Sequence, residues 1–146
     1  MLARLSDAGA RHIFGVPSDY GLRFYEEITR SPIKHIGTRR EDTAAFAGDG
    51  YARCLGLGGL AVTYGVGALS ALSAVAGAIA ESSPVVVTSG APGVRERRED
   101  PLLHHRFGPF TFQREILERI ICVTAVLDDP VMAFCLIDRA TAAHAH

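Results

Sequence analysis

The sequence predicts an α/β fold, a mostly parallel sheet of about five strands with helices on both faces. Short apolar runs alternate with segments of helical periodicity along the chain of 146 residues. The apolar run at residues 84–89 shows little polar alternation, which is typical of a strand covered on both faces. A chain of this length is expected to form one domain, here over residues 1–146.

The elements are delimited by turn-forming residues and by changes of periodicity. The strands are predicted at residues 12–16, 33–38, 60–64, 84–89 and 120–126. The helices are predicted at residues 20–30, 41–55, 69–81, 112–119 and 129–142, after a short N-terminal one. Pro17 ends the first strand, and Gly56 ends the helix at 41–55. Residues 90–109 form the one long segment without predicted secondary structure.

Composition argues against several classes of function. The net charge of −1 gives no basic surface for nucleic acid or for a membrane. The weakly polar stretch at residues 68–80 is shorter than the roughly 20 residues of a membrane span. No signal peptide is visible, so a cytoplasmic location is expected. The three cysteines are odd in number and irregularly spaced, so we expect small core residues rather than disulfides or a zinc site; they are Cys54, Cys122 and Cys135.

The polar residues with chemical potential fall where the predicted strands end. Parallel sheets bind ligands at the carboxyl ends of their strands. Asp19, Glu41 and the pair His104–His105 occupy three such places. By itself, Asp19 is also a plausible helix N-cap, and Glu41 an acid favoured by the helix dipole. Two adjacent histidines in a loop are, without context, most simply exposed surface residues.

Four segments together resemble one family. They read GVPSDY (15–20), REDTAAFAGDGYAR (40–53), TYGVGALSA (63–71) with AESSPVVVTSGAP (80–92), and LHHRFG (103–108). In this order they resemble the N-terminal pyrimidine-binding domain of thiamine-diphosphate-dependent 2-oxo-acid decarboxylases, in the pyruvate and indolepyruvate decarboxylase branch. The match runs almost throughout the chain. Departures are Ser18 in place of glycine, Asp42 and Thr43 beside Glu41, and Arg106 after the histidines, where it could alter substrate preference.

The resemblance implies a role for each site residue. Glu41 would hydrogen-bond the pyrimidine nitrogen of thiamine diphosphate and share a proton with it, which activates the cofactor. Asp19, His104 and His105 would handle the carboxylate of a 2-oxo acid, of the pyruvate or aryl-pyruvate type, and the proton transfers around it. The remaining cofactor-binding residues would be Pro17, Thr63, Tyr64, Gly65 and Gly67.

The diphosphate and its Mg²⁺ are expected to bind to a domain outside this chain. Gly48-Asp49-Gly50 resembles the start of the family's metal motif, but it lies in a predicted helix, and the sequence contains no asparagine to complete the motif. We therefore expect Asp49 to be a solvated helix residue and predict no metal ligand here. The resemblance implies a homodimer or a complex with a diphosphate-binding domain, and an isolated chain without activity.

Two other hypotheses stay open at this point. The family's domain continues into a further strand of the type RPVYIEIP that this sequence lacks, so the chain is a fragment, a separate subunit or a truncated product. An inactive α/β interaction module would fit that absence. A nucleotide-binding regulatory domain has only the Gly65-Val66-Gly67 loop in its favour, which is a weak signal without a third glycine.

Overall fold

The structure, a computed structural model, describes residues 1–143 and contains one parallel sheet. Its four strands are β1 His12–Gly15, β2 Lys34–Gly37, β3 Gly58–Val62 and β4 Val85–Ser89. They lie in the order β2-β1-β3-β4, and each neighbouring pair is parallel. The predicted α/β class and parallel sheet are confirmed, with four strands in place of about five.

Eight α-helices surround this sheet within residues 1–143. They are α1 Leu2–Asp7, α2 Leu22–Thr29, α3 Glu41–Leu55, α4 Val66–Ser70, α5 Leu72–Ala80, α6 Val94–Arg98, α7 Phe112–Leu117 and α8 Pro130–Ala142. A single 3-10 turn at Asp19–Gly21 precedes α2. The predicted helix at 41–55 has the predicted bounds, and Gly56 ends it with φ of 102°. The predicted helix at 69–81 is instead divided at Ala71 into α4 and α5.

The predicted fifth strand at residues 120–126 is wrong. The backbone N–H groups of Ile120 and Ile121 both donate to the carbonyl of Leu117, at 2.9 Å, so they complete the end of α7. Farther on, the carbonyl of Thr124 accepts from the Arg139 side chain at 3.1 Å. A β-branched apolar run becomes a strand only when a neighbouring strand pairs with it, and none in the described sheet does.

The core lies on both faces of the sheet because successive strand residues point to opposite sides. Phe14, Leu60 and Val62 pack on one face with alanines of α3, α4 and α5. Ile13 and Ala61 pack on the other face with residues of α1 and α2. The helix and the sheet lie close together, since a Cβ atom at Gly58 would overlap the Gly48 carbonyl oxygen of α3. This packing fixes α3, and with it the direction of its first residue, Glu41.

Two side-chain predictions are corrected here. Asp49 is not solvated: its carboxylate is only 12% exposed and accepts two hydrogen bonds of 3.0 Å from Arg53. The Ser83 hydroxyl also donates to the Asp49 carbonyl, at 3.3 Å. Asp49 therefore helps to attach α3 to the turn after α5.

The cysteines are not core residues. Cys54, Cys122 and Cys135 are all exposed and unpaired. Cys54 lies on the outer side of α3, away from the alanines that face the sheet, and Cys135 is an exposed residue of α8. An apolar stretch in sequence therefore did not identify which side of each helix faces the core. Within residues 1–143, no helix is both long enough and apolar enough to cross a membrane.

Candidate functional site

The carboxyl ends of the parallel strands gather the candidate residues at one edge of the sheet. The loop after β1 carries Asp19, and the loop after β2 leads directly into Glu41. Segment 63–67 follows β3 and comprises the loop at residues 63–65 and the first two residues of α4, and the loop after β4 leads towards the histidine pair. Gly90 packs against the first of these loops, since a Cβ atom there would lie 2.7 Å from the Tyr20 carbonyl oxygen.

Glu41 faces the end of β3. A Cβ atom at Gly67 would lie 3.2 Å from Glu41 Oε1 and 2.6 Å from Thr63 Cγ2. Thr63 is 3% exposed, and among the described residues its Oγ1 has no hydrogen-bond partner. Neither carboxylate oxygen of half-buried Glu41 accepts a hydrogen bond within residues 1–143. The Gly67 backbone thus approaches the Glu41 carboxylate and the Thr63 methyl group more closely than a residue with a Cβ atom could.

Tyr25 is a neighbour of Glu41 that the sequence analysis missed. Its hydroxyl donates to the Ala61 carbonyl at 2.8 Å, and its ring meets His35 edge-on, with centroids 4.8 Å apart. Burial, and then the negative charge of Glu41, raise the pKa of the Tyr25 phenol. Tyr25 therefore stays neutral and acts as a donor. From the sequence, Tyr25 was expected only to lie in the helix predicted at residues 20–30.

Asp19 and His104 meet across two loops. Asp19 Oδ2 lies 3.6 Å from His104 Nε2, with the two side chains 74% and 56% exposed. An exposed pair of this kind contributes about 0–1 kcal/mol. The rings of His104 and His105 are 3.9 Å apart, and His105 has φ of 67°. Neither the 3-10 turn nor α2 has a side-chain N-cap, so Asp19 does not act as one.

The end of β3 holds the histidine loop in place. The Tyr64 hydroxyl donates to the His104 carbonyl at 2.7 Å, and burial raises the pKa of this phenol. Tyr20 packs edge-on against Tyr64, with centroids 5.0 Å apart. Gly65 has φ of 66°, and a Cβ atom there would clash with the His105 carbonyl oxygen at 2.4 Å. Segment 63–67 thus contacts the histidine loop through Tyr64 and Gly65, and its Gly67 lies beside Glu41.

Arg106 acts within its own loop. Its guanidinium donates to the carbonyls of Asp100, Pro101 and Gly108 and to the Asp100 carboxylate. It also lies 4.6 Å from the centre of the Phe110 ring. The Arg106 side chain is only 17% exposed, so it stabilises the loop, and its charge is not available to a substrate.

Two further observations complete the geometry. Pro17 is exposed on the loop after β1, next to the 3-10 turn that carries Asp19. Within residues 1–143, no cluster of three or more His, Cys, Asp or Glu side chains could hold a metal ion. What the strand ends do provide is a buried hydroxyl, an acid and two closely approached glycine backbones, which fits the edge of a polar ring. Oxygen-rich ligation of a metal–diphosphate group is not part of the described residues.

Comparison with known proteins decides the family. Residues 1–116 match the family described as thiamine pyrophosphate enzyme, N-terminal TPP binding domain. The chain belongs to this family. Thiamine pyrophosphate is thiamine diphosphate, so the predicted family and its cofactor are confirmed.

Relatives of this TPP-binding domain are similar over nearly all of its length. Pyruvate decarboxylase of Neurospora crassa is 38% identical over 140 residues, which cover 94% of this chain and 25% of that protein. Indole-3-pyruvate decarboxylase of Azospirillum brasilense is 43% identical over 135 residues, covering 91% and 25%. Alpha-keto-acid decarboxylase of Mycobacterium avium (strain 104) is 40% identical over 142 residues, covering 95% and 25%. The chain therefore spans about a quarter of the length of these relatives.

Proposed function

We propose that this domain forms the pyrimidine side of the active site of a thiamine-diphosphate-dependent decarboxylase that acts on a 2-oxo acid. The observation that carries the proposal is the close approach of Gly67 to the Glu41 carboxylate and to the side chain of Thr63, whose buried hydroxyl has no partner among the described residues. The names of the relatives, which are decarboxylases of pyruvate, indole-3-pyruvate and alpha-keto acids, support the substrate class. The substrate is of the pyruvate or aryl-pyruvate type.

Glu41 is proposed to bind the pyrimidine nitrogen and to hold a proton there. A carboxyl group suits this task because it can donate or accept along the same short hydrogen bond. Thr63, Gly65 and Gly67 line the ring's edge, with glycine allowing close backbone approach, while Pro17 and Tyr64 border it. When bound, thiamine diphosphate supplies the carbon nucleophile that adds to the keto group of the substrate.

Asp19, His104 and His105 are proposed to act on the substrate side. Histidine transfers protons near neutral pH, and a carboxylate 3.6 Å away can orient the ring and stabilise its charged form. The Tyr64 hydroxyl on the His104 carbonyl keeps this pair at the end of β3. Within segment 63–67, Gly67 therefore lies beside the acid proposed for the pyrimidine, and Tyr64 and Gly65 lie beside the loop that carries the histidines.

The diphosphate and its Mg²⁺ are proposed to bind to a second domain. That domain would come from a partner subunit or from another part of a longer protein, in a homodimer or a complex. The three exposed, unpaired cysteines support a reducing compartment such as the cytoplasm.

The test is decarboxylation of pyruvate and phenylpyruvate by the chain combined with a diphosphate-binding domain, thiamine diphosphate and Mg²⁺. Glu41→Gln should lower kcat by about 10²-fold or more, with little change in KM, because an amide fills the space but cannot share the proton. Glu115→Gln, an exposed acid on α7, is the matched control and should match the wild type.

Calorimetry of the isolated chain adds a second arm. Thiamine diphosphate should bind weakly, with no gain on adding Mg²⁺, because the charged diphosphate has no cradle here. Tight, metal-dependent binding by the isolated chain would overturn the division of the site. Full activity of Glu41→Gln would overturn the role of Glu41, and absence of decarboxylation in the combined system would favour an inactive interaction module.

A further inference from the structure

Gln113 joins the ends of the two strands at the candidate site. This residue of α7 is half-buried and accepts from the Gly65 N–H through Oε1, at 2.6 Å. Its Nε2 donates to the Ser89 hydroxyl at 2.9 Å. Gly65 follows the end of β3, and Ser89 is the last residue of β4. One side chain from outside the sheet thus links both strand ends.

The hydrogen bond to Gly65 replaces one that the sheet cannot make. β3 ends at Val62, and with φ of 66° the Gly65 backbone has left the strand conformation. Its N–H is in a buried residue and needs an acceptor. The side-chain oxygen of Gln113 is this acceptor, and its side-chain nitrogen donates to Ser89. The two bonds therefore use opposite ends of the same amide group.

The contacts extend from Gln113 to both sides of the site. The Gly65 backbone lies against the His105 carbonyl oxygen, so it carries the histidine loop. The Ser89 hydroxyl donates to the Gly90 carbonyl at 3.2 Å, and Gly90 packs on the Tyr20 backbone. A displacement of Gln113 would therefore shift segment 63–67, the histidine loop and the loop that carries Asp19.

We propose that Gln113 is a positioning residue of this active site. It holds the Gly65 backbone so that Gly67 stays beside Glu41 while the histidine loop stays against Tyr64 and Gly65. The catalytic importance of this role rests on the proposed function, whereas its structural basis is two hydrogen bonds within the protein itself. Gln113 touches neither Glu41 nor the histidine side chains in the contacts described for residues 1–143, and acts through the backbone.

The test compares two substitutions at one position. Gln113→Leu removes both hydrogen bonds, whereas Gln113→Glu keeps an acceptor for Gly65, and the Ser89 hydroxyl can turn to donate to it. In ¹H–¹⁵N NMR of the chain, hydrogen exchange at Gly65 should quicken about tenfold in Gln113→Leu. Exchange should stay near the wild-type rate in Gln113→Glu. Arg114→Leu, on the exposed side of α7, is the control and should leave Gly65 unchanged.

A binding arm then connects position to function. Thiamine, which carries the pyrimidine without the diphosphate, is titrated into each variant while the Thr63 and Gly67 amide signals are followed. Binding should weaken about tenfold in Gln113→Leu and return in Gln113→Glu. Ser89→Ala keeps the bond between Gln113 and Gly65 and removes those of the Ser89 hydroxyl to Gln113 and Gly90. It should give a smaller loss, and it serves if Gln113→Leu does not fold.

The outcomes separate the two proposals. An unchanged Gly65 amide in folded Gln113→Leu overturns the positioning role, whatever thiamine does. A loosened Gly65 amide with no thiamine effect at Thr63 or Gly67 in the wild type supports the positioning role and overturns the proposed function. Equal loss in Gln113→Leu and Gln113→Glu overturns the inference, because the retained acceptor would then have no effect.

Discussion

The two sides of the candidate site are built in different ways. The helix side consists of Glu41 at the start of α3, Thr63 directly after β3 and Gly67 in α4. The loop side consists of Asp19, His104 and His105, which lie on connecting segments. Thr63 is 3% exposed, whereas the Asp19 and His104 side chains are 74% and 56% exposed.

This difference shows two ways of holding a functional group in place. On the helix side, burial and regular backbone hydrogen bonds position the residues, as is usual for sites on rigid elements. On the loop side, individual side chains must tie the backbone down: Tyr64 bonds the His104 carbonyl, and Arg106 bonds three carbonyls of its own loop. The loop side should therefore respond to single polar substitutions that leave the helix side intact.

The largest effect is expected at Gly65, where the two sides touch. Gly65→Ala should destabilise folding by about 2–6 kcal/mol, since backbone strain at positive φ and a clash with the His105 carbonyl each cost about 1–3 kcal/mol. Gly56→Ala has positive φ without a nearby atom and should cost only the strain, about 1–3 kcal/mol. Urea unfolding measures both.

A third glycine completes this series. Gly50 lies in α3 with no atom near its Cβ position, so Gly50→Ala should stabilise the protein by about 0.5–1 kcal/mol. If Gly65→Ala costs no more than Gly56→Ala, the contact between segment 63–67 and the histidine loop is loose, and the two sides are not coupled there.

A smaller effect is expected at Arg106, on the loop side alone. Arg106→Leu should cost about 2 kcal/mol, since hydrogen bonds from a charged group to several backbone carbonyls are lost. Hydrogen exchange should quicken at residues 100–108 and stay unchanged at Thr63 and Gly67. Arg95→Leu, an exposed arginine on α6, is the control. Equal disturbance of the helix side would contradict the distinction drawn between the two sides.

The smallest effect is expected at Asp49 in α3, and it concerns how the stability of the fold depends on pH in acid solution. Hydrogen bonds from Arg53 lower the pKa of Asp49 below its usual value, although burial opposes this. Asp49 therefore stabilises the fold at neutral pH, and this contribution is lost as pH falls through its folded pKa, below about pH 4. Asp49→Asn should be less stable than wild type at pH 7, and the difference should shrink below about pH 4.

Asp7→Asn, an exposed acid on α1, is the control for this experiment and should leave the acid limb as in the wild type. Thermal unfolding from pH 3 to pH 7 measures all three proteins. A difference between Asp49→Asn and wild type that stays constant over this range would mean that the carboxylate's charge is not what stabilises α3.

Regular elements with strong local signals were predictable. Helix α3 has the predicted bounds, because its apolar periodicity ends at a glycine with positive φ. Asp19, Glu41 and the histidines were placed at strand ends from the order of elements alone, and the structure puts Asp19 against His104 and Glu41 against Gly67. Their roles in the reaction remain predictions.

Other features depended on contacts that no sequence pattern indicated. Residues 120–126 have strand propensity, but α7 takes their first N–H groups, and no described strand pairs with them. Asp49 is buried because Arg53 and Ser83 are placed beside it. Gln113 is 48 residues from its partner Gly65, and no local pattern around it indicated the contact.

The sequence by itself determined the alternation of strands and helices, the family, and the residues that strand ends bring to one edge of the sheet. The alternation and the strand-end residues follow from local periodicity and from the rule that parallel strands end on the same side. The family follows from the four motif segments that resemble it. Only the tertiary structure decided which strands pair, which acids are buried, and that Gln113, Tyr64 and Arg106 hold the loops. Those outcomes depend on backbone groups left without partners by regular structure, and such groups are satisfied by whichever side chain the fold brings within hydrogen-bond distance.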